Sequence, residues 1–254
     1  VSSLNKVILP GQTIGIIGGG QLGRMMALAA KASGFKIAVL DPTPNSPCGQ
    51  LADIEITAKY DDIESLKQLA KVSDVVTFEF ENINGRALHE LQKHAYVPQG
   101  SELLKISQNR ILEKRAIVES GAKVAPYAVI KEMQDLYDTI ENIGYPCVLK
   151  TVTGGYDGKG QLVIKSSDCL EKAVDLVANC ECVLEAWVPF IKEISVIVIR
   201  NLDGDTRVFP VAENIHHDNI LHQSIVPARI SEEIEQQAKK MALMIADNLK
   251  MVGT

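Results

Sequence analysis

The stretch TIGIIGGGQLGRMMALAAKASGFKIAVLDP, Thr13 to Pro42, decides the fold. Thr13–Ile17 is a short apolar run that breaks on glycine, as a buried strand does. Gly18, Gly20 and Gly23 then stand in a G-x-G-x-x-G frame. The residues after them predict a helix that places Leu22, Met25, Met26, Ala29 and Ala30 on one face and ends at Gly34. Lys36–Leu40 is a second strand, closed by Asp41. Strand, glycine turn, helix, strand and terminal acid come close to the dinucleotide-binding fingerprint. Such a turn offers free backbone N–H groups and a helix dipole to an anion, so a phosphate-bearing ligand is the natural guest. A tight turn with no ligand is the plain alternative.

The same rhythm runs on. Ser65–Lys71 reads as a helix, Asp74–Glu79 as a strand, Arg86–His94 as a helix and Tyr96–Pro98 as a short edge strand. Residues 1–100 are therefore expected to form an α/β domain, a doubly wound parallel sheet with helices on both faces. Pro98-Gln99-Gly100 breaks the pattern, and two helical segments lead to Gly121. Beyond them the chain reads as an antiparallel α+β region. Asp135–Ile143 is a helix, YPCVLK a strand ending at Lys150, and LVIK another strand. Asp168–Ala178 reads as a helix with Ser167 as N-cap. CVLEAWV is a strand that turns at Pro189, and EISVIVIR is a strand to which GDTRVFPVAENI returns antiparallel. Ser231–Lys250 sets Ile234, Ala238, Met241, Ala242, Ile245 and Leu249 along one helical stripe. Val252 onward reads as the start of a further strand, so the chain is expected to stop inside a domain.

Bulk properties narrow the function classes. The chain has 254 residues, 46% hydrophobic and 23% charged, a composition ordinary for soluble globular proteins. No apolar run reaches the roughly 18 residues of a membrane span, and the N-terminus lacks the pattern of a signal peptide. A net charge of −6 with no basic tail argues against nucleic-acid binding, while leaving room for one anionic ligand held by local lysines. Five scattered cysteines read as reduced thiols of a cytoplasmic protein. Cys180 and Cys182 form C-x-C, but no second Cys/His pair stands at a zinc spacing, so no metal site is expected in this stretch.

A second glycine-rich segment, Gly154 to Gly160, packs four glycines and Lys159 into seven residues. It is not a P-loop: Thr153 stands where the first glycine belongs, and Gly160 follows Lys159 where Ser or Thr is required. It lies between two strands, the setting of a hairpin that folds over a triphosphate from above. Lys150, at the end of the preceding strand, is placed to reach the inner phosphates. In VLEAWVPFIKE, a strand running into an extended linker offers backbone groups to the edge of an adenine. Glu185 and Glu193 are candidates for the exocyclic amine side and the ribose hydroxyls, and Trp187 is either a core anchor or part of a purine pocket.

Together GGGQLGRM, TFEFENI, VLKTVTGGYDGKGQ, VLEAWV and ENIHHDNI…SIVPA resemble the ATP-grasp ligases, specifically the purine-pathway members that carboxylate 5-aminoimidazole ribonucleotide. The resemblance runs from about Gln12 to the end of the chain. It implies a preATP-grasp domain over residues 1–100, an ATP-grasp lobe with the glycine-rich loop over 101–188, and the start of a second lobe over 189–254. It implies that Arg110 and Lys150 contact ATP phosphates. Gly155, Tyr156, Asp157, Gly158, Lys159, Gly160 and Gln161 form the closing loop. Glu185, Ala186, Trp187 and Val188 line the adenine, Glu193 holds the ribose and His216 lies near the nucleotide. The first glycine turn then serves the phosphorylated ribonucleotide rather than NAD, with Gly20, Gln21, Leu22 and Glu81 facing it. The implied substrates are ATP, bicarbonate and 5-aminoimidazole ribonucleotide, with carboxyphosphate as intermediate. Mg2+ is implied as well, with ligands expected downstream of Thr254, and a cytoplasmic homodimer is implied as the working form.

The runner-up inside the class is another ATP-grasp ligase, of biotin carboxylase or glycinamide ribonucleotide type. A different class is an NAD-dependent dehydrogenase, for which the neighbouring His216 and His217 lack a substrate clamp. A non-catalytic nucleotide-binding protein is the third alternative.

Overall fold

The computed structural model describes residues 6–155 and 159–254. The chain divides into two compact units, one up to Lys105 and one from Ile106 to Val252.

The first unit runs β1 (Thr13–Ile17), α1 (Gln21–Ala32), β2 (Lys36–Asp41), β3 (Ile54–Thr57), α2 (Ile63–Val72), β4 (Val75–Phe78) and α3 (Gly85–Leu91). All four strands are parallel, in the order β3-β2-β1-β4. The centre of β2 is buried on both faces, which is why it reads as an unbroken apolar run. Alternation divides its side chains between two cores. Ala38 and Leu40 pack with Leu66, Leu69 and Leu88, while Ile37 and Val39 pack with Ala27 and Cys48. The carboxylate of Asp62 caps α2 and the amide of Asn84 caps α3, each accepting two backbone N–H groups.

Two expectations for this unit are corrected. The buried face of α1 is Gly23 and Ala27, with Met26 and Ala30 half-buried, whereas Leu22, Met25 and Leu28 are exposed. Small residues bring the helix close to the sheet and push the larger apolar ones outward. Tyr96–Pro98 forms no strand: Val76 N donates to Tyr96 O at 2.9 Å, and Pro98 has no N–H to carry a ladder on. The sheet therefore ends at β4 on that side, and its other edge is β3, a short strand with no apolar run to betray it.

After α4 (Glu102–Ser107) come α5 (Arg110–Glu119), β5 (Tyr127–Ile130), α6 (Met133–Ile143), β6 (Cys147–Thr151) and β7 (Gln161–Ile164). A 3-10 turn over Ser167–Ala173 follows, then α7 (Val174–Asn179), β8 (Cys182–Ala186), β9 (Glu193–Ser195), β10 (Val198–Arg200), β11 (Thr206–Val208), β12 (Ala212–His217), β13 (Ile220–Ile225) and α8 (Glu232–Asn248). An antiparallel sheet, β5-β8-β6-β7, carries the larger core of this unit on one face: Ile130, Leu149 and Leu184 pack with Leu136, Ile140 and Val177 of α6 and α7. Ile111 of α5 packs on the other face, against Val183 and Val152.

Here too the structure departs from expectation. Asp168–Ala178 is not one helix; it opens as a 3-10 turn, with Cys169 N bonded to Ser166 O at 3.0 Å, and Ser166 rather than Ser167 takes the cap position. EISVIVIR divides into two strands. β9 pairs with β12 and β10 with β11, so the return segment changes partner at Pro210, which cannot donate to a ladder. In α8 the expected stripe is only partly covered: Ala238, Ala242, Ile245 and Leu249 are half-buried and Ile234 and Met241 exposed, while the buried residue is Ala246, outside the stripe. Among the described residues no helix is long and apolar enough to cross a membrane.

Candidate active site

In the first unit the strand order reverses at β1, between β2 and β4, and a crevice at such a point is where open α/β sheets receive ligands. The residue directly after β4 is Glu79. Its carboxylate reaches the N-terminus of α1, accepting from Gly20 N at 2.9 Å and from Gly23 N in a shorter bond. The positive end of this helix is thus met by an anion of the protein itself. Gly18, at φ +103°, carries the chain past that carboxylate, and a Cβ on Gly23 would lie 2.5 Å from Gly18 O. Asp41 is occupied as well, accepting from Gly19 N at 2.7 Å, Thr43 N at 2.8 Å and the Tyr60 hydroxyl at 2.7 Å. Burial alone would raise the Asp41 carboxyl, but these hydrogen bonds hold it below the ordinary range. Burial and the bond to Asp41 push the Tyr60 phenol well up.

The carboxylates of Glu79 and Asp41 thus take up the N–H groups of Gly19, Gly20 and Gly23. Asp41, with three donors already on it, is not free for a ribose diol. Beside the turn opens a groove of about 350 Å³, walled by Gly20, Asp41, Ser46, Tyr60, Glu79 and Phe80 among others. Carboxylates on its wall suit a group rich in N–H or O–H donors. An adjoining hollow of about 270 Å³ shares Pro42 and Tyr60 with it and carries Lys59, Asn82 and Asn84.

In the second unit, alternation along β6 sends Cys147, Leu149 and Thr151 inward and leaves Val148 and Lys150 half-buried on the opposite face. Glu185 of β8 stands across from Val148, and Tyr127 of β5 across from Glu185, so the three share that face. Asn109 caps α5 by accepting from Ile111 N and Leu112 N, which fixes Arg110 and Lys114 over the same sheet face. Lys150 Nζ lies 2.9 Å and Lys114 Nζ 3.2 Å from the two oxygens of Glu185, which is only 9% exposed. Burial would raise the Glu185 carboxyl, yet Lys150 and then Lys114 hold it below the ordinary range. Glu113, between Arg110 and Lys114, is pushed up by burial against the pull of both cations. Arg110 Nε donates to Thr151 O at 3.0 Å, and Nη2 reaches Gly155 O at 3.5 Å, tying the helix to the start of the glycine-rich turn. Thr151 N donates to Gly160 O at 2.9 Å and Gln161 pairs with Lys150, which closes the base of that turn.

Arg110, Lys150, Gly155, Gly160, Gln161 and Glu185 thus converge. Lys159 is exposed in the turn, and Tyr156, Asp157 and Gly158 lie outside the described residues. Ala186 ends β8. Trp187 and Val188 follow it, 47% and 50% exposed, so Trp187 is no core anchor. Glu193 and His216 form a second group, His216 Nδ1 to Glu193 Oε1 3.5 Å. Beside them Glu213 is clasped by Arg229 at 2.6 Å and Lys192 at 3.0 Å. Gln21 and Leu22 are exposed on the first turn of α1, and Glu81 is exposed beyond β4. Sequence reasoning missed Lys114 and Glu79. The spacing of four from Arg110 was the signal for Lys114; for Glu79 it was position, directly after a strand at the reversal of strand order.

Comparison with known proteins covers both units. The family model described as ATP-grasp domain matches residues 115–254, and that described as ribonucleotide synthetase preATP-grasp domain matches residues 11–108. An N5-carboxyaminoimidazole ribonucleotide synthase of Bacillus subtilis is 55% identical over 248 residues, 98% of this chain and 65% of the relative. The crystal structure of the ADP complex of an N5-carboxyaminoimidazole ribonucleotide synthetase superposes with a TM-score of 0.95 at 60% identity, covering 98% of this chain and 66% of that one. An N5-carboxyaminoimidazole synthase of Aspergillus clavatus, in complex with ADP and 5-aminoimidazole ribonucleotide, gives a TM-score of 0.87 at 29% identity, over 96% of this chain and 64% of that one. The chain thus spans about two thirds of the length of the relatives that it matches.

Proposed function

The chain belongs to the ATP-grasp family, and from that premise we propose that it takes part in the ATP- and bicarbonate-dependent carboxylation of 5-aminoimidazole ribonucleotide at its exocyclic amine. The observation that carries the reading is the convergence of Lys150, Arg110 and Glu185 at the base of a glycine-rich turn, in a chain 55% identical to a relative named for this product. Lys150 and Arg110 neutralise ATP phosphates, and the turn, residues 155–161, closes over them. Glu185 to Val188 receive the adenine, with Glu193 on the ribose and His216 beside it.

Bicarbonate oxygen attacks the γ-phosphorus as the bond to ADP breaks, giving carboxyphosphate. The substrate amine then attacks its carboxyl carbon, or that of CO2 released from it, and phosphate leaves. The protein supplies position and charge compensation rather than a nucleophile, and loop closure keeps water from a hydrolysable intermediate. The groove of Gly20, Glu79 and Tyr60 takes the amine and ribose end of the ribonucleotide, with Gln21, Leu22 and Glu81 on its rim. Residues 101–188 form the lobe bearing the loop, and 189–254 belong to the second lobe. Among the described residues no group of three His, Cys, Asp or Glu side chains could hold a metal ion. The reading extends to a cytoplasmic homodimer, which sedimentation equilibrium tests.

The deciding experiment is phosphate release from ATP. It is expected to require bicarbonate and 5-aminoimidazole ribonucleotide together. Release supported by biotin in place of the ribonucleotide moves the assignment to the biotin carboxylase type, and NADH binding without ATP binding overturns it.

A further inference from the structure

Lys114 has no role in the reading above, yet it shares a buried carboxylate with the lysine that carries it. Lys150 Nζ holds one oxygen of Glu185 at 2.9 Å, and Lys114 Nζ holds the other at 3.2 Å. The two lysines are not equivalent. The Lys114 side chain is 12% exposed against 25% for Lys150, and its ammonium lies 5.3 Å from the centroid of the Tyr127 ring. It rides on α5, whose first turn is pinned by the Asn109 cap and by Arg110. Lys150 stands at the mouth of the glycine-rich turn, paired with Gln161. If Lys150 turns to a phosphate, Glu185 loses a partner inside the protein, where an uncompensated charge is strongly unfavourable.

We propose that Lys114 is a positioning residue, the fixed counter-ion that keeps Glu185 charged and in place while nucleotide phosphates draw Lys150 away. The proposal rests on the nucleotide site assigned above. Lys150 is then the exchangeable partner, and its departure strands no carboxylate. Glu113 of α5 also feels this carboxylate, and it lies in turn under the pull of Arg110, Lys114 and Lys150.

Calorimetric titration with ADP in buffers of different ionisation enthalpy tests it, because it counts the protons taken up on binding. Relative to the parent protein, Lys114→Met is expected to bind ADP about tenfold or more weakly, and to take up close to one additional proton as the abandoned Glu185 is neutralised. Adding Glu185→Gln to that variant removes the extra uptake. Unchanged affinity and proton count in Lys114→Met overturn the proposal, as does uptake that persists with Glu185→Gln, since the proton then goes elsewhere. A thermal-denaturation cycle without nucleotide tests the same role independently. Lys114→Met and Lys150→Met together should lose more than the sum of the single losses, and Glu185→Gln should cancel the excess; additive losses overturn the role. A parent protein that binds no ADP defeats the nucleotide site instead, and the cycle still judges Lys114.

Discussion

Lys150 emerges from a strand whose other face is core, so its ammonium is presented by backbone alternation rather than by a flexible loop. Lys150→Ala should weaken ATP binding by about 1.5–3 kcal/mol, the size of a charge-assisted contact, measured by calorimetry. Glu79 makes the opposite kind of contact, an internal anion on a helix N-terminus. Glu79→Ala should lower stability by about 1.5–3 kcal/mol, and millimolar phosphate should then raise the melting temperature of the variant but not of the parent. Glu213 sets an acid limit. Hydrogen bonds from Arg229 and Lys192 lower its carboxyl from 4.5 to about 2. Above the unfolded value both states are ionised and the stabilisation is complete; as pH falls toward 2 the unfolded chain takes up the proton first and the stabilisation is lost. Glu213→Gln should flatten the melting temperature between pH 5 and pH 2, relative to the parent. Of these residues only Lys150 was legible in the sequence, because a lysine closing an apolar strand just before a glycine run points to an anion held at that turn. Glu79 and Glu213 read as ordinary strand-end and strand carboxylates until their partners, 56 and 16 residues away in the chain, were known.

Elements were legible where one periodicity ruled over a long enough window. β1, α1 and β2 fall within a residue or so of expectation because glycine punctuates β1 and α1 on both sides, and β2 lies between Gly34 and the Asp41-Pro42 stop. β3 escaped notice because it is an exposed edge, and EISVIVIR looked like one strand because pairing partners leave no mark on an apolar run. The 3-10 turn before α7 shows how weakly a short segment specifies its own helix type. The element that most needs its local signal is α5. Its apolar stripe is narrow, with Ile111 and Ala116 as its buried residues, and it nonetheless positions Arg110 and Lys114. Asn109→Ala should cost about 1 kcal/mol of stability through the lost cap, seen in thermal denaturation. ADP affinity should fall with it, because Arg110 opens that first turn and Lys114 follows one turn later on the same face. Full ADP affinity alongside lowered stability would detach α5 from the nucleotide site.

Each unit has its own core, built on a different sheet logic, parallel in one and antiparallel in the other. Ligands should therefore register separately. ADP at a hundred times its dissociation constant adds about 2.7 kcal/mol to whatever cooperative unit holds it. Hydrogen exchange should slow across residues 106–252 and little across 13–79; protection centred on Gly18–Gly23 would return the nucleotide to the first turn and revive the dinucleotide reading. The self-occupied turn after β1 also bears on how chemists approach this surface. Phosphonates and sulfonates, the usual mimics for a G-x-G-x-x-G motif, meet two acids there and are repelled. Amidines, hydroxamates and other basic or donor-bearing fragments are the better starting library for that groove.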